Sequence, residues 1–512
     1  MQMAPLQGIK YYILVFSLGV AVFLDSLDFS IANVSIPSIS ATFGVAVNQG
    51  TWVITLFAVG NALGLALSGW LASRFGAVKV NSWSLALFTA LSAFCGAAWS
   101  FEILILARLL QGLVSGPLMV IPISLALTNC PEDKKLNTQQ VLILLIVMAQ
   151  VLGPFLGGWI TEEYGWRWIF YINVPLGILA LIFSWSVLKD RELPIIKIPL
   201  DFIAVAFLAI GILALQLFLD RGNENDWFDS TYILLLALTS AVSLTFFIVW
   251  NFYSDHPPVD FSFLKDLNFT MATLLLTLPY LIISGTTILL PLWVQSEMGY
   301  TPYWAGVSLM PLGLAPIFAA PFVNFAMKHI SLRMIIAFGL VICSISCFWF
   351  SKLNGEVSLY QLLMPRLLQG ISLSLIFLPL FQLVMTNIKE IDLTKATGVH
   401  NFLKVVCGGP GISTALYVTF WQRRATLHHS NLTEVLHPLR TPTLETYNTL
   451  HSLGVDDSSI AVYLNYVVTN QSYTIAFNDL MWLSGWILLF LIPPLWICQE
   501  PSKNKSLVHQ ME

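Results

Sequence analysis

Short polar breaks divide the chain into about fourteen stretches of roughly twenty mostly apolar residues, and this spacing constrains it more than any other feature. The stretches centre near Ala21, Leu63, Phe88, Leu113, Leu152, Leu179, Ala209, Ala241, Ile282, Leu314, Cys343, Leu373, Gly409 and Ile487. Each is long enough to cross a hydrocarbon layer about 30 Å thick, where no water satisfies backbone N–H and C=O groups, so each must close its own hydrogen bonds as a helix. The expected fold is an all-α membrane protein. The first stretch, from just after Lys10 to about Ile36, is too long for a signal-peptide core and is expected to remain as the first spanning helix. Composition agrees, with 57% of 512 residues hydrophobic and 10% charged, against about 25% charged in soluble domains. The net charge of −4 gives no reason to expect a nucleic-acid partner.

Cys95, Cys343, Cys347, Cys407 and Cys498 lie in apolar stretches and Cys130 at a segment end, and all read as packing residues. Cys343 and Cys347 share a helical face, but no His or carboxylate accompanies them, so no metal site is expected.

An even number of spans puts both termini on one side of the membrane. With that side taken as the cytoplasm, most Lys and Arg residues fall there, among them Lys10, Arg74, Lys79, Lys134, Lys135, Lys189, Arg191, Lys197, Lys389, Lys395, Lys503 and Lys505. Only Arg167, Arg221, Lys352, Arg423, Arg424 and Arg440 fall outside, as the positive-inside rule requires. Arg108, Arg366 and Lys404 lie inside apolar runs and need a separate reason.

The chain also repeats. Arg108-Leu-Leu-Gln-Gly112 recurs as Arg366-Leu-Leu-Gln-Gly370, and Thr128-Asn129 as Thr386-Asn387. Each copy opens the fourth helix of a six-helix block if the seventh and eighth helices are an insertion. The expected division is 1–190, a first six-helix half; 191–255, two additional helices; and 256–512, a second six-helix half with a long outer loop at about 422–472. Parallel halves imply a central cavity and alternating access.

Three segments bring a family into view. The first helix reads Leu27-Asp28-Phe29-Ser30-Ile31-Ala32-Asn33-Val34 and ends Ile36-Pro37; the fifth carries Gly153-Pro154-Phe155-Leu156-Gly157-Gly158; the sixth opens Trp166-Arg167-Trp168-Ile169-Phe170-Tyr171-Ile172-Asn173-Val174-Pro175. Together they resemble the fourteen-helix drug:proton antiporters of the major facilitator superfamily, the EmrB/QacA branch, along nearly the whole chain. The resemblance implies export of hydrophobic or amphipathic drugs and toxic compounds across a bacterial inner membrane, driven by the proton gradient with no cofactor. It also implies a periplasmic membrane-fusion adaptor and an outer-membrane channel as partners. An exporter of one endogenous metabolite on the same scaffold is the alternative. No HExxH, GxSxG or carboxylate–histidine cluster supports an enzyme, and no soluble signalling domain supports a sensor.

Asp25 and Asp28 lie one turn apart near the middle of the first helix, where carboxylates should face a cavity or a partner. Asp28 matches the family segment and Asp25 is an addition to it. Arg108 lies at a depth that allows pairing with Asp28, and its motif matches the segment that the family associates with proton coupling. Asp28, Asp25 and Arg108 are therefore the proton-coupling candidates, with structural hydrogen bonding as the competing reading.

Asn33, Gln111, Asn401, Lys404 and Arg366 are cavity or substrate candidates. Lys404 either meets an anionic substrate, pairs with a carboxylate across the cavity, or snorkels. Gly153, Pro154, Gly157 and Gly158 form the antiporter-motif helix, suited to bending and close approach. Trp52, Trp166, Trp168, Trp293, Trp304, Trp421 and Trp482 fall near span ends and are expected mostly as interface anchors. In the turn Gly69–Gly76, Ser73 stands where the superfamily usually has aspartate, which puts a charge-relay gate there in doubt. Asp479 is read as a boundary carboxylate near the start of the last helix. The outer segment, with His428, His429, His437 and His451, is expected to cover the outer exit and to offer an adaptor surface.

Overall fold

The computed structural model describes residues 5–500 except 193–194, 196–198, 200, 223–224, 226, 255–256, 260, 387, 389–392 and 437–440. Lys197, Asn387, Lys389, His437, Arg440, Lys503 and Lys505, and the side chain of Lys395, lie outside the described residues. The spanning helices are α1 (Ile9–Ile31), α2 (Trp52–Phe75), α3 (Ala77–Gly96), α4 (Phe101–Asn129), α5 (Lys135–Glu163), α6 (Asn173–Leu188, preceded by Trp168–Tyr171), α7 (Phe202–Arg221), α8 (Thr231–Tyr253), α9 (Leu267–Ser296), α10 (Pro302–His329), α11 (Leu332–Phe350), α12 (Leu359–Met385), α13 (Leu393–Gly408 and Pro410–Val435, broken at Gly409) and α14 (Asp457–Phe490). Thirteen segments are long and apolar enough to cross a membrane by length and composition. The 29-residue α5 packs among them, which agrees with about fourteen passes.

Local chemistry sets the boundaries. The Asp266 and Asp456 carboxylates cap the first turns of α9 and α14, and Ser358 with Gln361 forms a capping box on α12. Gly76, at φ +97°, makes the tight turn between α2 and α3. The backbone N–H groups of Val78 and Lys79 donate to Glu192 at 2.9 and 3.1 Å, so a carboxylate from the end of α6 caps α3 beside the turn that lacks the usual aspartate.

Two expectations need correction. The outer segment 422–472 is largely helix: α13 continues to Val435, a further helix spans Thr441–Ser452, and α14 starts at Asp457. Asp479 accordingly lies well inside α14. Of the seven tryptophans expected at the interface, Trp52, Trp166, Trp293 and Trp421 are buried instead, with Trp293 stacked on Phe477 at 4.3 Å. Trp168, Trp304 and Trp482 are exposed. Five cysteines are buried as expected, whereas Cys407 is exposed.

Between apolar helices in lipid the hydrophobic effect gives little drive to associate, and close backbone packing takes its place. α2 and α4 show this. A Cβ on Gly60 or Gly64 would stand 2.1 Å from the Leu109 or Leu113 carbonyl oxygen, and one on Gly112 2.1 Å from that of Phe57.

The first six helices meet the last six at the end of the bundle away from Ile9, hereafter the distal end. There a Cβ on Gly158 would stand 2.3 Å from the Pro302 carbonyl oxygen, and one on Gly306 2.2 Å from that of Pro154. Gln295 donates to the Val34 carbonyl at 3.0 Å, and the Tyr303 N–H to Glu162 at 3.0 Å.

Gly112→Ala is expected to lower the melting temperature of detergent-purified protein by several degrees, because overpacking against fixed backbone costs about 1–3 kcal/mol. Gly69→Ala, whose Cβ would meet nothing within 4 Å, should leave it unchanged. Equal melting shifts in thermal-denaturation assays would show that close approach is not what holds α2 to α4.

Candidate functional site

Arg108 and Asp28 are 1% and 0% exposed and pair at 2.5 Å in the interior of the first six helices. The guanidinium also donates to Gln111 Oε1 at 2.9 Å and to the Val53 carbonyl at 3.0 Å, and lies 4.0 Å from the Phe57 ring centroid and 5.4 Å from that of Phe170. Asn173 donates to the second Asp28 oxygen at 2.7 Å and to Ser92 at 3.0 Å. One carboxylate thus ties α1 to α4 and α6, and the rings supply a polarisable wall that suits a desolvated cation. Asn173 is a residue that sequence reasoning passed over. It stands in the Trp166–Pro175 segment, but nothing in the sequence says that it reaches Asp28.

Asp25, one turn nearer the start of α1, is buried but differently served. It lies near Ser115, whose hydroxyl donates to the Gly112 carbonyl at 3.0 Å and accepts from Asn61 at 2.8 Å. Asp25 Oδ1 has no partner among the described residues. Asp25 lies within electrostatic reach of Asp28 and of Tyr280 on α9. The Lys404 ammonium lies 5.1 Å from the Tyr280 ring centroid. Lys404 has no carboxylate within ion-pair distance among the described residues. Phe377 packs edge-on to Tyr280 at 6.0 Å, and His400 meets Thr273 at 3.1 Å. Asn401 is half-buried on the same helix, and Asn33 is buried with its Oδ1 unpartnered among the described residues.

The glycine face of α5 clasps α1 next to Asp28. A Cβ on Gly153 would collide with Ser30 Oγ, and one on Gly157 would stand 2.3 Å from the Ile31 carbonyl oxygen, while Gly158 turns to α10. Ser30 Oγ donates to the Ala149 carbonyl of α5 at 3.2 Å. Pro154 lies inside the helix, and its carbonyl faces Gly306.

A profile of the Major Facilitator Superfamily matches residues 18–412. The fatty acid resistance protein FarB of Neisseria gonorrhoeae is 36% identical over 98% of each chain, and the multidrug export protein EmrB of Escherichia coli (strain K12) is 35% identical over 98% of each. The chain belongs to the major facilitator superfamily. A crystal structure of the peptide transporter POT shares the fold at TM-score 0.63 and 15% identity, over 96% of this chain and 97% of that one. A bacterial homologue of the human lysosomal transporter Spinster does so at TM-score 0.63 and 16% identity, over 97% and 100%. The protein is a multi-pass membrane transporter and not an enzyme.

Within this major facilitator the repeated motif is built twice with one difference. Arg366 is fully buried and donates to the Thr286 carbonyl at 2.7 Å and hydroxyl at 3.2 Å and to Gln369, with the Phe350 ring at 5.6 Å. Arg108 and Asp28 are 80 positions apart, and so are Arg366 and Thr286. The second copy therefore keeps the arginine, the glutamine and the aromatic wall and replaces the carboxylate with a hydroxyl. Gln111 and Arg366, both cavity candidates from sequence, sit in these buried clusters, and Gln111 Nε2 and Arg366 Nε have no partner among the described residues.

Other titratable groups gather at the distal end. Asp479 accepts from Arg424 and from His428 at 2.7 Å, and His429 meets Asn465 at 3.3 Å. Burial pushes Glu297, just past α9, up to about 7. No group of three or more metal-ligating side chains is present among the described residues.

Breaking a buried pair leaves an uncompensated charge, at a cost of about 3–5 kcal/mol. Arg108→Gln is therefore expected to melt markedly earlier than the parent, and adding Asp28→Asn to it should restore part of the loss. Melting temperatures of both single mutants and the double mutant test this; additive losses would show that the two side chains do not act on each other.

Proposed function

We propose that this transporter is a proton-coupled antiporter that exports hydrophobic and amphipathic toxic compounds, with Asp28 as its main proton carrier. The observation that carries the reading is the contrast between the two motif copies. The scaffold holds a buried arginine without a carboxylate in one copy, so the carboxylate in the other is not required to seat the arginine. A proton on Asp28 cancels its charge and weakens the tie from α1 to α4. α5, clasped to α1 and abutting α10, then carries the change to the contact between the two six-helix groups. Asp25, one turn away, is the carboxylate through which this step reaches the space between the two groups.

Substrate class follows from the walls of that space. Tyr280, Phe377 and neighbouring aliphatic side chains suit an apolar body. Lys404 brings a positive charge with no counter-ion beside it among the described residues, and an unpaired cation at membrane depth is unfavourable unless water or a ligand anion neutralises it. Amphipathic acids are therefore favoured substrates, in keeping with one relative's name for fatty acid resistance and others' for multidrug export. The positive-inside asymmetry supports cytoplasmic termini in a bacterial inner membrane. The helical projection formed by the ends of α13 and α14 is the surface offered to an adaptor that leads to an outer-membrane channel.

Asp28→Asn is expected to abolish uphill, gradient-driven export in sealed vesicles by the molecules that fold, while leaving their substrate binding in place. Retained uphill export would remove Asp28 from the coupling step.

Lys404 is tested by binding alone. In nanodiscs the parent should bind decanoate about tenfold more tightly than decanol, the range expected of one charge-assisted contact. Lys404→Gln should lose that preference with decanol affinity unchanged, and Lys404→Arg should keep it. A decanoate preference that survives Lys404→Gln would show that the anion sits elsewhere.

A further inference from the structure

The inserted helix α7 does more than lie beside the bundle. Asp220, in its last turn, accepts from Thr55 Oγ1 of α2 at 3.0 Å through one carboxylate oxygen and from Gln216 Nε2 at 2.9 Å through the other. The same Gln216 nitrogen donates to the Gly411 carbonyl of α13 at 3.2 Å. Thr55 is fully buried and Gln216 nearly so. A Cβ on Gly411 would stand 3.3 Å from Ala58 of α2, so α2, α7 and α13 converge at one place. Further contacts reinforce both arms: Arg221 lies 4.8 Å from the Trp52 ring centroid on the α2 side, and Thr419 of α13 donates to the Leu219 carbonyl at 3.4 Å.

The row Thr55, Asp220, Gln216, Gly411 therefore links the first six helices to the last six through a helix that belongs to neither. We infer that Asp220 and Gln216 form a latch that holds the distal end closed. Opening that end requires α2 and α13 to separate at Thr55 and Gly411. α7 can follow only one of them, so either the Thr55 bond or the Gly411 bond must break. The latch biases the resting carrier toward the distal-closed state, and it gives the two additional helices a part in the transport cycle. It rests on the geometry of this chain and does not require the proton-coupling scheme.

The test reads conformation without substrate or gradient. Spin labels at Ala41 and Lys352, both exposed, report the distal separation of the two groups; labels at Lys189 and Lys328, also exposed, report the other end. Cys407 is replaced by Ser in all samples. Gln216→Leu removes both bonds at similar volume, and Thr55→Val removes the α2 arm alone. Both are expected to raise the ratio of distal-open to distal-closed molecules about fivefold or more, the effect of losing roughly one buried hydrogen bond. The Ala41–Lys352 distances should lengthen as the Lys189–Lys328 distances shorten.

Ser240→Ala is the control. It breaks a 3.2 Å bond between Ser240 and the Gly211 carbonyl, inside the α7–α8 pair and away from the latch, and should change neither distribution. Unchanged distributions in Gln216→Leu and Thr55→Val, with both proteins folded and monodisperse, overturn the latch. An equal shift from Ser240→Ala overturns it as well, because general loosening of the inserted pair would then suffice. Loss of coupling in Asp28→Asn vesicles has no bearing on either result.

Discussion

A guanidinium with almost no exposure, held among membrane-spanning helices, sets the terms for the first half of this protein. On insertion scales a charge at the bilayer centre costs about 2.5–3.5 kcal/mol before any partner is supplied. Arg108 is supplied with nearly everything a guanidinium can use: a carboxylate, an amide, a backbone carbonyl and two aromatic faces. Those partners come from α1, α2, α4 and the short helix before α6, so the position of one cation depends on the placement of all four. The carboxylate is the only one of the partners whose charge a proton can remove. The cluster is thus built around one group, Asp28, whose charge state can differ.

Close backbone packing turns this local sensitivity into a structural one. Gly153 and Gly157 press α5 onto α1 within one turn of Asp28, and Gly158 presses the same helix onto α10 of the opposite group. There is no flexible side chain at these contacts to absorb a shift of α1. Backbone meets backbone or a short hydroxyl, and a displacement on one side must appear on the other or separate the surfaces. The motif glycines thus matter for what they exclude, a cushion between Asp28 and the interface between halves.

The spanning helices, the repeat and the intramembrane charges were legible in the sequence because each depends on a property of single residues or short spacings. Asp28 and Arg108 could be paired by depth alone, and the structure brings them together. The partners that complete the site were not legible. Asn173 lies 145 positions from Asp28, and Tyr280 is an ordinary aromatic residue in an apolar run until α9 brings it beside Lys404. Trp52 and Trp293 lie near span ends, where lipid anchors are common, but tertiary packing buries them. The segment 422–472 has the polarity of a loop because its helices run outside the bilayer, where a helix needs no apolar surface all round. Asp479 was misplaced for the same reason, since the helix begins well before the apolar run does.

The internal repeat allows a stronger inference than either copy alone. A buried arginine that served only to join helices would need a partner able to accept hydrogen bonds, and Thr286 with Gln369 meets that need for Arg366. Threonine does not ionise near neutral pH, so that site has one charge state and holds α12 against α9 throughout. At the matching place Asp28 offers the same acceptors and an additional charge, which costs desolvation and returns no packing that a hydroxyl lacks. The extra carboxylate is therefore best explained by what it alone can do, which is to change its charge. On that view the second copy is the fixed half of the carrier's interior and the first the switched half. Lys404 lies on the half without the extra carboxylate, and Asp25 lies on the half that carries it.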